Sequence, residues 1–327
     1  MTAALLLLAA VPAADVAEDA TTQRRAKVVF VTGDEEYRSE ESMPMLAAIL
    51  QRDHAVDPVV LFAETDGTID QDRTDNIPGL EALADADLLV LFTRYRALPP
   101  DQMRHFTDYV SRGGPVVGFR TATHAFKYLD GGPHQAKYGA WNEEKIAALV
   151  GQRWIVHHGH FADGENALTE VTGLGADSPI LNGVGTPIRA YSWLYHVQGG
   201  GEALADGCTP LLSGRTLRSK RLPDGQANQY PPTQPVAWTK TNPFSPDGTE
   251  PGRVFFTTLG HPFDFKREPV RRLAVQGVLW ALGREGEIPA GGVPIEYDGP
   301  YAPANSGFGT GKKGLVPADV LAAAGVE

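Results

Sequence analysis

Short apolar runs alternate with segments of helical periodicity through the first half of this chain, and that alternation leaves few folds open. Residues 27–32 form a β-rich run closed by Gly33-Asp34, and Ser39 can cap a helix in which Met43, Leu46, Ala47 and Leu50 recur at helical spacing. Residues 57–62 read as a second strand, 80–84 as a short helical turn and 86–92 as a strand rich in Leu and Val. Pro99-Pro100 opens a helix through Val110, which Gly113-Gly114 stops. Strand–helix alternation at this spacing predicts an α/β fold, a parallel sheet with helices on both faces. In such sheets function gathers at the carboxyl ends of the strands.

The second half carries more Gly and Pro and more β character. Residues 152–157, 167–172 and 235–239 read as strands, and 213–234 as a long polar surface loop. Residues 253–259 form a strong strand ending at Gly260-His261. A closing helix over 267–282 follows, with Val270, Leu273, Ala274, Gly277, Val278 and Ala281 at helical spacing. The expected organisation is a signal peptide over 1–13, a linker over 14–26, one α/β domain over 27–287 with a β-rich elaboration, and a Gly/Pro-rich C-terminal tail over 288–327 on the surface. The leader rests on the apolar residues 5–10 and on Val11-Pro12-Ala13, a small-x-small cleavage pattern too short to span a bilayer. No Lys or Arg precedes it, so a disordered, Ala-rich N-terminus stays open beside a periplasmic or secreted location.

Composition narrows the partners. A formal net charge of −11 argues against nucleic acid and against anionic lipid, so no membrane contact is expected beyond the leader. Cys208 is the single cysteine, which excludes an intrachain disulfide, a redox pair and a Cys–Cys metal site. Its turn-like setting, Asp206-Gly207-Cys208-Thr209-Pro210, suits a passive, half-buried thiol. A homo-oligomer stays open.

The stretch richest in chemistry is Gly118-Phe119-Arg120-Thr121-Ala122-Thr123-His124, entered directly from the apolar Pro115-Val116-Val117. A sharp strand-to-helix turn lifts one side chain above the strand ends and is where many α/β enzymes carry a nucleophile. Here that place belongs to Arg120. A guanidinium stays protonated and cannot attack, so glutamine hydrolysis through a cysteine thioester is excluded.

This turn, together with Val31-Thr32-Gly33-Asp34-Glu35-Glu36-Tyr37, His157-His158-Gly159-His160, Thr258-Leu259-Gly260-His261 and Trp280-Ala281-Leu282-Gly283, falls in an order that resembles the ThuA-like, trehalose-utilisation family. The likeness spans residues 27–285 and is nearest to an exported bacterial branch. It implies a flavodoxin-like fold of the class I glutamine amidotransferase-like type, and a sugar or keto-sugar as the ligand. Many members of the family have Gly-Ile-His-Ala-Gly where this chain has Gly118-Phe119-Arg120-Thr121-Ala122.

Candidate catalytic residues are His261, His124 and Arg120. The resemblance puts His261 where amidotransferase-like folds carry a catalytic histidine; His124 lies one helical turn past Arg120, so both can face the strand ends. Arg120 suits a hydroxyl or oxyanion clamp, and equally an ion pair that ties down the Asp34-Glu35-Glu36 loop. Substrate-binding candidates are Asp34, Glu35, Arg38, Thr121, Thr123, Trp141, His157, His158 and His160. Tyr37, Tyr95, Trp193 and Tyr195 are further aromatics at loops or strand ends, suited to sugar faces or to core packing. In an extended segment His158 and His160 share a face, half of a divalent-metal shell, whereas no cofactor motif is present. His54 and His105 read as surface residues. Acid–base processing of a small carbohydrate, a non-catalytic carbohydrate-binding module and a metal-dependent hydrolase all remain open at this point.

Overall fold

The structure, a computed structural model, describes residues 24–158, 168–217 and 231–327. The expected leader and His160 lie outside these residues.

Among the described residues nine strands form one sheet, and two short strands pair beside it. The sheet strands are β1 (Ala26–Gly33), β2 (Val56–Leu61), β5 (Leu88–Thr93), β6 (Val116–Phe119), β7 (Thr169–Gly173), β8 (Ile188–Ala190), β9 (Thr209–Thr216), β10 (Thr233–Thr241) and β11 (Arg253–Thr257). The small pair is β3 (Glu64–Thr65) and β4 (Thr68–Ile69). The helices are α1 (Ser39–Asp53), α2 (Pro100–Ser111), α3 (Gln135–Tyr138), α4 (Glu144–Val150), α5 (Glu268–Ala281) and α6 (Pro317–Ala324). In space the strands run β2-β1-β5-β6-β11-β10-β9-β7-β8. The first five are parallel and the remaining four continue the sheet antiparallel. This is a flavodoxin-like α/β fold with a β-rich extension.

The parallel strands are buried on both faces, which explains their unbroken apolar runs. Val28, Phe30, Leu88, Val90, Phe92, Val117 and Phe255 pack with α1 and α5 in one core. Their neighbours Val29, Val31, Leu89, Leu91, Val116, Val254 and Phe256 pack with α2 and α4 in the other. The period of two along each strand thus assigns every residue to one of two layers. Gly118 marks where that packing is tightest: a Cβ there would lie 2.6 Å from the Phe256 ring.

Several sequence expectations need correction. Residues 152–157 form no strand; only an isolated bridge joins His157 to Tyr195. The expected loop 213–234 is strand at both ends, because β9 continues to Thr216 and β10 starts at Thr233. His54 is buried rather than exposed, with Nε2 3.0 Å from the Pro294 carbonyl. The tail ends in α6, which packs on α1. No helix among the described residues is long and apolar enough to cross a membrane.

Candidate functional site

Three loops meet above the carboxyl ends of β1, β5, β6 and β11. After β1, Asp34 shapes the turn: its Oδ1 accepts the backbone N–H groups of Glu36 (2.7 Å) and Tyr37 (2.8 Å), and its Oδ2 accepts the Thr121 hydroxyl. Asp34 and Thr121 are therefore the lock between the first loop and the elbow. Glu35 turns to the side, paired with Arg94 and, at 2.7 Å, with the fully buried Arg96. The tie on this loop comes from Arg94 and Arg96; no ion pair joins it to Arg120.

After β6 the chain enters a single 3₁₀ turn over Arg120–His124. Arg120 has φ 39°, a strained left-handed conformation for a non-glycine residue, as expected of an elbow. Its side chain is fully buried. Nη1 donates to the carbonyls of Trp193 (3.1 Å) and Thr258 (2.9 Å), and Nη2 donates to the Tyr37 hydroxyl (2.8 Å). Tyr37 and Tyr195 hold the guanidinium between their rings, 4.2 and 4.4 Å from the centroids. Cation–π contacts and three carbonyl or phenol acceptors replace a carboxylate here.

His124 closes the turn. Thr123 Oγ1 donates to the Arg120 carbonyl (3.2 Å) and lies 3.0 Å from His124 Nδ1. With the hydroxyl proton committed to that carbonyl, Nδ1–H donates to Oγ1 and Nε2 is left as the lone-pair nitrogen. Burial, then the charges of Arg94 and Arg120, hold the His124 pKa well below its usual value, so the ring is neutral.

His261 follows β11 at the same end of the sheet. Gly260 is needed before it, because a Cβ there would sit 2.9 Å from Arg120 Cβ. Asp264 fixes the segment by accepting the backbone N–H groups of Tyr191, Ser192, Gly260 and His261 and the Ser192 hydroxyl. His261 Nδ1 accepts the Phe263 N–H (3.1 Å), so Nε2 carries the proton and faces Ser306 Oγ at 2.9 Å. Burial, reinforced by Arg120, pushes its pKa down to about 3.

The open space beside these residues is a cavity of about 170 Å³, lined by Glu36, Tyr37, Arg94, His124, Trp154, His157, Tyr195 and Phe308. A second lobe of about 290 Å³ shares His124 and Trp154 and adds Tyr95, Lys127, Asn142, Glu143 and Arg153. A larger cavity of about 550 Å³ under α6 is lined by Arg25, Gln51 and Arg52. Arg25 precedes β1, so that space lies at the amino end of the strands, the wrong end for function in this fold.

Of the residues expected from sequence, His124 and His157 line the strand-end cavity, whereas Arg120 lies sealed behind Tyr37 and Tyr195. His261 lies beneath Ser306. Trp141 is core, ringed by Phe106, Phe126 and Phe244, and lines neither strand-end cavity. Arg38 points away from the cavity. It donates to the carbonyls of Glu35 (3.1 Å), Asn305 (3.2 Å) and Gly307 and to the Thr310 hydroxyl (2.5 Å). His158 is buried against His196, with ring centroids 4.2 Å apart, while His157 stacks on Trp193 at 4.9 Å. Among the described residues no three His, Cys, Asp or Glu side chains converge as a metal-binding group.

Glu36 is the residue that sequence reasoning passed over. It lines the cavity, its Oε2 lies 3.0 Å from Arg94 Nε, and burial raises its pKa to about 7 despite that cation. The signal was present in the Asp34 turn, which sends Glu35 and Glu36 in different directions.

The family model for ThuA, trehalose utilisation, matches residues 27–281. The chain belongs to the ThuA family. Membership gives this ThuA protein a carbohydrate-related role in general. Among solved structures it is similar to a ThuA-like protein from Bacteroides uniformis, at 12% identity over 79% of this chain and 91% of that one, TM-score 0.50. It is also similar to a ThuA-like protein from Parabacteroides merdae, at 18% identity over 79% of this chain and 90% of that one, TM-score 0.49. No curated protein matches it.

Proposed function

We propose that this ThuA protein binds sugars and processes a keto-sugar glycoside by acid–base chemistry in the strand-end cavity. The observation that carries the proposal is the pairing, in one small aromatic-walled space, of a carboxyl with pKa about 7 and a neutral histidine. Two groups whose environments separate their protonation states in this way suit an acid and a base working together. His124 Nε2 takes the proton from the carbon beside the sugar carbonyl. Tyr37, whose oxygen already accepts from Arg120, has its own proton available for the developing enolate oxygen. As the C–O bond to the leaving group breaks, the departing oxygen takes the Glu36 proton. Trp154, His157, Tyr195 and Phe308 offer flat faces to the ring. In this proposal Arg120 and His261 are positioning residues acting through Tyr37, whose ring centroid lies 6.3 Å from that of His261.

The strained elbow at Arg120 supports kinship with the class I amidotransferase-like folds, with a cation in the nucleophile's place. We further propose that the chain acts outside the cytoplasm, on the strength of residues 1–13; N-terminal sequencing of protein from fractionated cells tests this. The function itself is tested by a screen of glycosides and keto-glycosides, read for product and for thermal shift. Turnover that falls by roughly 10²-fold or more in Glu36→Gln while the thermal shift persists is the expected result. Tight binding without product across the screen would make the protein a carbohydrate-binding module instead.

A further inference from the structure

Residues 302–313 cross the carboxyl end of the sheet as a strap stitched to loops of the first half. Ala304 N–H donates to Glu41 Oε1 (3.1 Å), Gly307 N–H to the Glu36 carbonyl (2.8 Å) and Gln71 Nε2 to the Lys312 carbonyl (3.1 Å). Arg38 gathers Asn305, Gly307 and Thr310 from below, and Ser306 covers His261. Between these anchors, Gly307 (φ 121°) and Gly309 (φ 69°) throw Phe308 out of line with its neighbours. The Phe308 ring lines the cavity yet remains 53% exposed, and Arg94, the partner of Glu36, lies 5.1 Å from its centroid. A half-exposed aromatic ring on the cavity wall, carried by well-bonded flanks, is placed to stack on the apolar face of a ligand. The strap also lies beyond residue 281, where the family match ends.

We propose that the strap belongs to the substrate site and that Phe308 is a specificity-determining residue, stacking on the apolar face of the sugar ring bound above Glu36 and His124. This rests on the acid–base reading of the cavity. Phe308 sets which ring or aglycone is held, while Glu36 and His124 do the chemistry, so the two roles separate in the kinetics.

Steady-state kinetics of Phe308→Ala, Phe308→Trp and Glu36→Gln are compared on the keto derivatives of trehalose and methyl α-D-glucopyranoside, with the parent sugars as binding controls. Hydrogen exchange of residues 305–308 is followed in the intact chain with the same sugars. Phe308→Ala is expected to raise KM about tenfold with kcat nearly unchanged, the size of a lost aromatic stack with its buried area. Phe308→Trp is expected to restore KM, and sugar is expected to slow exchange at the strap. A merely structural ring would shift the thermal midpoint and leave the KM ranking of the sugars unmoved. Unchanged KM in Phe308→Ala, with Glu36→Gln inactive, overturns the inference and leaves the acid–base reading standing. Wild-type protein that neither binds nor converts any of these sugars overturns both.

Discussion

Two histidines stand at the same end of one sheet in opposite circumstances. His124 opens onto the cavity with Glu36, whereas His261 is closed over by Ser306 and has both ring nitrogens engaged. Each is buried and each is held neutral. What separates them is the material laid across the strand ends: a strap over one, and an aromatic-walled opening beside the other. Strand-end placement brings a residue to the functional face, but the loops above decide whether a substrate can reach it.

The sharpest way to break that contrast is kinetic. Glu36→Gln and His124→Ala are each expected to lower turnover by roughly 10²–10⁴-fold, the usual contribution of a general acid or base. His261→Ala is expected to lower it by less than about tenfold, since both ring nitrogens are already engaged by Phe263 and Ser306. An equal loss in all three, with the fold intact by circular dichroism, would erase the distinction. As the proposed acid, Glu36 must hold its proton, so kcat/KM is expected to fall as pH rises through about 7. Glu36→Gln should remove that limb from the residual profile.

Stability tests the sealed side. Arg120→Met is expected to cost about 3 kcal/mol in urea denaturation, because the Trp193 and Thr258 carbonyls lose their donor in a dry site. A variant within about 0.5 kcal/mol of wild type would mean the cation is not structural.

The smallest effect is in acid. The folded pKa of His261, about 3, lies below its unfolded value of 6.5, so its contribution is full above pH 6.5 and shrinks as pH falls toward 3. Between pH 6.5 and 5 the loss is about 2 kcal/mol. His261→Phe should flatten that part of the stability–pH curve relative to wild type. The difference between the two proteins is the quantity to read. Glu36, raised to about 7, works the other way: its contribution is present below pH 4.5 and lost as pH rises through 7. Identical slopes would show that His261 titrates normally.

The parallel half was legible because its signal is local. Val28 to Val31 and Leu88 to Phe92 announce strands buried on both faces, and Gly118 before Arg120 announces the elbow. The antiparallel half was less so. Residues 152–157 look β-like, yet they are spent on single long-range bonds, such as those joining Gln152 to Val197 and Ala203, rather than on a ladder. Trp141 and Arg38 show the same limit at side-chain level. An aromatic or a cation beside a loop fits a ligand equally well until the partner arrives, and those partners come from Phe244 and from Asn305 onward. Glu36 was hidden beside Glu35 because only the turn made by Asp34 tells the two apart.

Arg120 also bears on the order in which the molecule comes together. The carbonyls that receive its guanidinium belong to residues 73 and 138 positions further along the chain. Until those segments arrive, the elbow holds a strained backbone and a cation with nowhere dry to go, so water must stay. Non-local contacts of this kind form slowly, because loop closure must precede the reward. The β6–β11 pairing and the site above it are therefore expected to form late in folding. The strand-end face around the buried arginine becomes dry only when distant parts of the chain have found their register.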